Sequence, residues 1–221
     1  MRIALCFYGE SRYVNETYPY ILDKLISGND VDVFMHTWEN KDYQQAIELY
    51  SPISYETEPP KNFDYKKTLS SNLYQDNFLH QIYSVTRVCE LKKAYERENH
   101  FAYDLVIHTR FDLVPDNKIC FTDILKNKIN ICGYRYINKK YIDCAFIITN
   151  SELFDKFFNM WDNIDHYLTE ENARNYNEPH AGFFGEGSYT FFADYFEVYP
   201  FINKTSQLDW TICRGNNYIK V

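Results

Sequence analysis

Two strand-length apolar runs, Ile3–Tyr8 and Val31–His36, stand near the start of the chain with one helix-length stretch between them. Strand, helix, strand in that order favours a parallel sheet with a right-handed crossover. Arg2–Tyr8 is read as the first strand and Tyr8–Arg12 ("YGESR") as a turn. Tyr13–Ser27 is read as a helix with Tyr20, Ile21, Leu25 and Ile26 on its apolar side. Pro19 shifts its expected start toward Tyr18, because proline is at home in a first turn. Gly28–Asp30 stops it before the second strand.

The pattern continues as α/β. Asp42–Tyr50 reads as a short helix and Ile53–Glu56 as a short strand. "ETEPPKNFDYKK", Glu56–Lys67, reads as a polar loop with Pro59 and Pro60, either a mobile segment or one facing an acceptor. A long helix follows over Leu73–Glu98, with Phe78, Ile82, Val85 and Cys89 on one face. Leu105–Thr109, Ile129–Gly133 and Cys144–Thr149 are further strands. Ser151 is placed as the N-cap of a helix running to His166. Thr169–Gly182 reads as a polar loop, Ser188–Tyr195 as a short helix and Phe196–Phe201 as a closing strand. The expected architecture is one domain over residues 1–221, a mixed, mostly parallel sheet flanked by helices. Its two halves would be residues 1–115 and 116–221.

Charge limits the partners. Lys and Arg number 23 against 31 Asp and Glu, a net charge of -8. An acidic chain lacks the broad basic face that nucleic acid backbone requires. A local basic pocket is still open to it, with Arg12, Arg87, Arg110, Arg135 and Arg214 as candidates. No stretch reaches the ~20 apolar residues that span a bilayer, so membrane insertion is not expected. Ile3–Tyr8 is read as a strand, not as part of a signal peptide. The six cysteines form no CxxC and mostly sit in apolar runs, which is the pattern of buried, reduced thiols in the cytoplasm. Aromatic residues make up 19%, enough to fill a core and to line a sugar site as well.

Four stretches carry candidate chemistry. In "YGESR", Tyr8, Gly9 and Arg12 stand where α/β sheets bind ligands, at the carboxyl end of a strand. An ordinary tight turn is the alternative. In "VFMHTWEN", His36 and Thr37 end the second strand, either as site residues or as structural ones. In "YDLVIHTRFDLVP", a central-looking strand ends in Arg110 and Asp112. An aspartate there is placed to hold Mn²⁺ or Mg²⁺ against a diphosphate, or to form a plain ion pair with the arginine. In "HAGFFGEGSYTFF", Glu186 opens a helix and could accept a proton from an acceptor hydroxyl. Asp143 and Asp209 are further carboxylates that could reach the same cleft.

Together these stretches resemble the small GT-A glycosyltransferases of large DNA viruses, of the chlorella-virus type that glycosylates capsid protein, and their bacterial and phage relatives. "IALCFYGESR", "DVDVFMHTW", "YSVTRVCELKKAYE" and "YDLVIHTRFDLV" carry the likeness, in order, over about residues 1–160. The resemblance implies a Rossmann-like GT-A domain, a nucleotide diphosphate sugar as donor and a divalent metal held by a D-x-D motif, with residues 1–115 as the nucleotide-sugar-binding half and 116–221 as the acceptor-binding half. Arg110-Phe111-Asp112 stands at that motif, with arginine in place of the first acid. Asp112 is then the implied metal ligand, and Arg110 the contact to phosphate or ribose. "FFGEGSYTFF" resembles the acidic stretch of inverting members, with Glu186 at the acid and Gly187 at the usual second acid.

The resulting expectation is an inverting transferase that moves sugar from a UDP-sugar to a glycan or glycoprotein hydroxyl, in the host cytoplasm if viral. Tyr8, Gly9 and Arg12 would hold base or ribose with His36 and Thr37 nearby, and Arg87 or Arg110 would reach phosphate. Two other classes compete. A nucleotidyltransferase would need a glycine- and lysine-rich triphosphate pocket, which "YGESR" does not offer. A non-catalytic nucleotide- or glycan-binding module of the same fold needs neither missing acid.

Overall fold

The protein is described here by a computed structural model that covers residues 1–63, 76–132, 142–176, 185–214 and 217–219. The strands are β1 (Arg2–Glu10), β2 (Asp30–Trp38), β3 (Ser54–Glu58), β4 (Leu105–Arg110), β5 (Leu113–Pro115), β6 (Ile129–Cys132), β7 (Phe146–Thr149), β8 (Ile202–Thr205), β9 (Trp210–Arg214) and β10 (Asn217–Ile219). The helices are α1 (Val14–Ile21), α2 (Tyr43–Tyr50), α3 (Asp76–Asn99), α4 (Ser151–Phe157), α5 (Ile164–Tyr167), α6 (Glu170–Tyr176) and α7 (Gly185–Tyr195).

Seven strands form one mixed, mostly parallel sheet in the order β3-β2-β1-β4-β7-β6-β8. The first four run parallel, β7 is antiparallel to both β4 and β6, and β8 runs parallel to β6. Both proposed halves contribute strands to this sheet. A small antiparallel sheet, β10-β9-β5, adjoins it.

β1 shows why the sheet is covered on both faces. Ala4, Cys6 and Tyr8 enter one core with α3, α4 and α7; Ile3, Leu5 and Phe7 enter the other with α1, α2, β5 and β9. Successive strand side chains point to opposite faces, so an unbroken apolar run is what two-sided burial requires. Each fully buried Leu, Ile or Phe contributes about 1.5–3 kcal/mol. The expected face of α3 is buried as read: Phe78, Ile82, Val85 and Cys89 all lie in the first core.

Several boundaries differ from expectation for identifiable reasons. β1 does not turn at Tyr8. It continues through Gly9 and Glu10, which pair with Thr37 and Trp38. α1 starts at Val14 and keeps Pro19 inside. Asn15 and Pro19 are both exposed, so water can satisfy the carbonyl that proline leaves without a donor. A π-helical turn, Leu22–Ile26, follows. The helix expected from Ser151 to His166 is capped instead by Asn150, whose side chain accepts from Leu153 N at 2.8 Å. It breaks after Phe157 because Thr86 of α3 intervenes. Its Oγ1 donates to Phe158 O at 3.0 Å and accepts from Trp161 N at 3.1 Å. Glu170–Tyr176 is helical where a loop was expected, and the closing strand falls at Ile202–Thr205 rather than 196–201. Residues 64–67, 73–75, Gly133, Arg135 and 177–184, on which parts of the expected pattern fall, lie outside the described residues. All six cysteines are free; Cys120 is exposed and the others are buried. No helix among the described residues is long and apolar enough to cross a membrane.

Candidate functional site

Strand order places the site. From β1 the chain steps to β2 and β3 on one side, then α3 carries it back to β4 on the other side of β1. The sheet therefore has a topological switch point at β1, and ligands of open α/β sheets bind at carboxyl ends of strands beside such a point. A cavity of about 420 Å³ opens there. Tyr8, Gly9 and Glu10 line it from β1, Trp38 from β2 and Arg110 from β4, with Arg12 and Pro60 beside them. Asn77, His80 and Gln81 of α3 complete the wall. The fold thus brings Tyr8, Gly9 and Arg12 together with Arg110, about a hundred positions later in the sequence.

The Arg110-Phe111-Asp112 turn is fixed from three sides. Phe111 is buried and stacks on Phe7, with ring centroids 4.8 Å apart. Its carbonyl accepts from Thr17 Oγ1 of α1 at 2.8 Å, and the Asp112 carbonyl accepts from Cys213 N of β9 at 2.8 Å. Arg110 then folds back on Asp112. Nε donates to Oδ1 at 2.9 Å and Nη2 to Oδ2 at 2.5 Å, a bidentate pair. Arg12 Nη2 lies 3.9 Å from the same Oδ2. Burial works against the charge of Arg110, but the Asp112 carboxylate outweighs it and raises its pKa, so the guanidinium stays charged.

This pairing bears on the implied metal. Both Asp112 oxygens are engaged, and its side chain is only 7% exposed. Among the described residues, Asp112 joins no group of three His, Cys, Asp or Glu side chains close enough to share an ion. The residues present do not fit a divalent cation at Asp112. One group has the spacing, His36, Glu56 and Glu58, with ligand atoms within 4.8 Å of one another. Its carboxylates already hold cations: Glu56 pairs with Arg87 and Glu58 with Lys61.

The floor of the cavity is tied down by a hydrogen-bonded chain. Gly9 N donates to Ser84 Oγ of α3 at 2.7 Å, and Ser84 Oγ lies 2.7 Å from His36 Nδ1. His36 Nε2 lies 3.3 Å from Glu58 Oε1. In the neutral ring, Nε2–H donates to Glu58 and Nδ1 accepts from Ser84. Burial lowers the His36 pKa against the pull of Glu58, which favours that neutral form. Gly9 has φ +87°, a left-handed conformation that a side chain would strain, although a Cβ would meet nothing within 4 Å. Ser84→Ala should leave Gly9 N–H and His36 Nδ1 unpaired and cost about 1–3 kcal/mol. Urea unfolding would measure it; an unchanged midpoint would mean the chain of bonds holds nothing.

Other expected residues lie elsewhere. His36 is buried in the chain just described, and Thr37 is buried beside it without lining the cavity. Arg87 is held against β3, its Nε 2.9 Å from Glu56 Oε2 and Nη2 3.1 Å from Oε1. Asp143 is buried and structural in its contacts: Oδ1 accepts from Ala145 N at 2.8 Å and Oδ2 from Trp210 Nε1 at 2.9 Å. Asp209 precedes β9 and accepts from Cys132 Sγ at 3.1 Å. Neither acid is among the residues that line the cavity. Glu186 lies in the first turn of α7; its side chain, like that of Arg214, is outside the described residues.

The α3 wall was missed in the sequence. Asn77, His80 and Gln81 stand at i, i+3 and i+4, the spacing of one helical face. That polar face beside the apolar one was the available signal. No protein family matches this chain, and no curated protein is significantly similar to it.

Proposed function

We propose that this chain is a glycosyltransferase that takes a nucleotide diphosphate sugar, in the first instance a UDP-sugar, and transfers the sugar to a hydroxyl of a glycan or glycoprotein. The observation that supports this most is the cavity at the switch point, where two arginines meet an aromatic wall. Its volume of about 420 Å³ falls in the range of small-molecule sites, ~300–1,000 Å³. Tyr8, Gly9 and Trp38 are the surfaces for base and ribose. Arg12 and Arg110 are the groups for phosphate. Fixed cations at the leaving diphosphate stabilise the charge that grows as the glycosidic bond breaks. A single displacement by the acceptor hydroxyl would invert the anomeric centre. With Asp143 held by two donors and Asp209 engaged by Cys132 away from the cavity lining, Glu186 is the choice of general base. No step is assigned to a metal ion.

A non-catalytic binding module is the second reading. It is favoured by one observation: Glu10, which lines the cavity, is paired with Arg12, and Asp112, behind the lining, is paired with Arg110. A thermal-shift screen of nucleotides and nucleotide sugars separates the cases. A ligand at 100 times its Kd adds about 2.7 kcal/mol, or roughly 5–10 °C for a chain of this size. No shift with any nucleotide or nucleotide sugar would sink the transferase and a nucleotide-binding module alike, and leave only a glycan-binding module. A shift with a nucleotide sugar that is never hydrolysed or transferred would leave the binding module.

A further inference from the structure

The cavity has a cation where a metal-dependent transferase would have a carboxylate free to hold an ion. We propose that Arg110, clamped by Asp112 and flanked by Arg12, is a built-in diphosphate anchor that makes nucleotide binding independent of divalent cations. This rests on the nucleotide-sugar reading and specifies how that site takes its ligand.

Three observations carry it. Arg110 lines the cavity while two of its N–H groups are spent on Asp112. The guanidinium is a rigid fork with further donors, so the remaining ones face a fixed direction and suit two phosphate oxygens. Next, the supporting acid is itself immobile. Phe111 is packed, Thr17 and Cys213 hold the turn's carbonyls, and Asp112 is nearly buried. A metal at Asp112 would have to expel Arg110 from a short bidentate contact. Finally, Arg12 adds a second positive group 3.9 Å from Asp112 Oδ2, on the exposed side. Each arginine has a carboxylate beside it, Glu10 for Arg12 and Asp112 for Arg110, so what the site offers a diphosphate is the unspent guanidinium donors rather than an excess of charge. Asp112 is on this view a positioning residue that holds Arg110 and never meets an ion.

Calorimetric titration with UDP, then with GDP, CDP and ADP, tests this in EDTA and in Mn²⁺. The expected result is binding of at least one diphosphate in EDTA, with Kd changed less than about threefold by Mn²⁺. Binding that appears only with Mn²⁺, or tightens tenfold or more, overturns the anchor and leaves the nucleotide-sugar reading standing. Absence of binding under both conditions overturns both. Arg110→Gln alone strands Asp112 and could unfold the turn, so the Arg110→Gln/Asp112→Asn double variant is the cleaner probe. It removes the pair together. Circular dichroism should match the wild type, while Kd in EDTA should rise about 30-fold or more. Wild-type affinity in the double variant would overturn the proposal. Arg110→Lys in the same assay should recover less than half of the lost affinity, expressed as log Kd, because a lysine cannot bridge Asp112 and two phosphate oxygens. Full rescue by lysine would show that charge alone suffices and would overturn the rigid anchor.

Discussion

Lys92→Ala is expected to destabilise the fold by about 3–5 kcal/mol, out of the ~5–15 kcal/mol that holds a typical domain together. Lys92 lies wholly buried on α3. Its ammonium reaches Glu96 Oε2 at 2.7 Å, Asp155 Oδ1 at 2.8 Å and Ser151 Oγ at 2.5 Å. Glu96 also accepts from Ser151 Oγ and, at 2.7 Å, from Tyr103 N. Burial opposes the lysine's charge, but Asp155 and Glu96 raise its pKa, so it is the cation of this cluster. Without it two acids face each other, one of them almost buried. Lys92→Met keeps most of the stem and loses only the charge, so the difference between the two variants separates packing from electrostatics. Urea midpoints measure both. A loss below about 1 kcal/mol for alanine would show that the cluster relaxes into water. The network binds α3 to α4 at one end, and the other end of α3 carries Asn77, His80 and Gln81 into the cavity. A loosened α3 should therefore weaken nucleotide binding as well.

The parallel core of this fold was readable because each part of it is local. β1, β2 and β4 are apolar runs, and the helix between the first two imposes the crossover. The face of α3 follows from spacing alone. What escaped depends on distant partners. β5 is a three-residue strand that exists because β9, about a hundred positions later, pairs with it. Asp143 looked like a spare catalytic acid, yet Trp210 Nε1 takes one of its oxygens. The break after Phe157 is set by Thr86 on another helix. The site divides in the same way. Tyr8, Gly9, Arg12 and Arg110 were legible from strand ends. Arg110 and Asp112 would lie on one face of a regular strand, but only the packed Phe111 turn decides that they clasp each other. Arg87, on the long helix, could have faced phosphate; Glu56 on β3 turned it away.

Stability should also fall in mild acid through His108, which β4 places two residues before Arg110. The imidazole is fully buried, sandwiched between Tyr8 at 4.2 Å and Phe158 at 4.5 Å between centroids. Nε2 reaches Cys144 O at 3.2 Å and Tyr189 Oη at 3.0 Å, while Nδ1 is buried without a partner among the described residues. Burial pulls its pKa down to about 3, against the bond to Cys144 that favours the charged ring. Its ordinary value is 6.5. Above pH 6.5 the ring is neutral folded or unfolded and contributes no slope. Between pH 6.5 and about 3 the unfolded chain takes up a proton that the folded chain refuses, so stability is lost as pH falls. At 1.36 kcal/mol per unit the loss is about 3 kcal/mol by pH 4.5. His36, whose pKa is also lowered, adds in the same direction, so His108 must be isolated by difference. His108→Phe should cost about 1–2 kcal/mol at pH 8, where the bonds from Nε2 are lost. The variant also has no proton to take up, so its deficit should shrink and then reverse between pH 6 and 4.5. Urea unfolding of both proteins across that range would show the crossing. Parallel curves would mean that His108 titrates normally in the folded state. That would require water at Nδ1 beneath the Tyr8 ring, and the cavity floor would then be wetter than its packing implies.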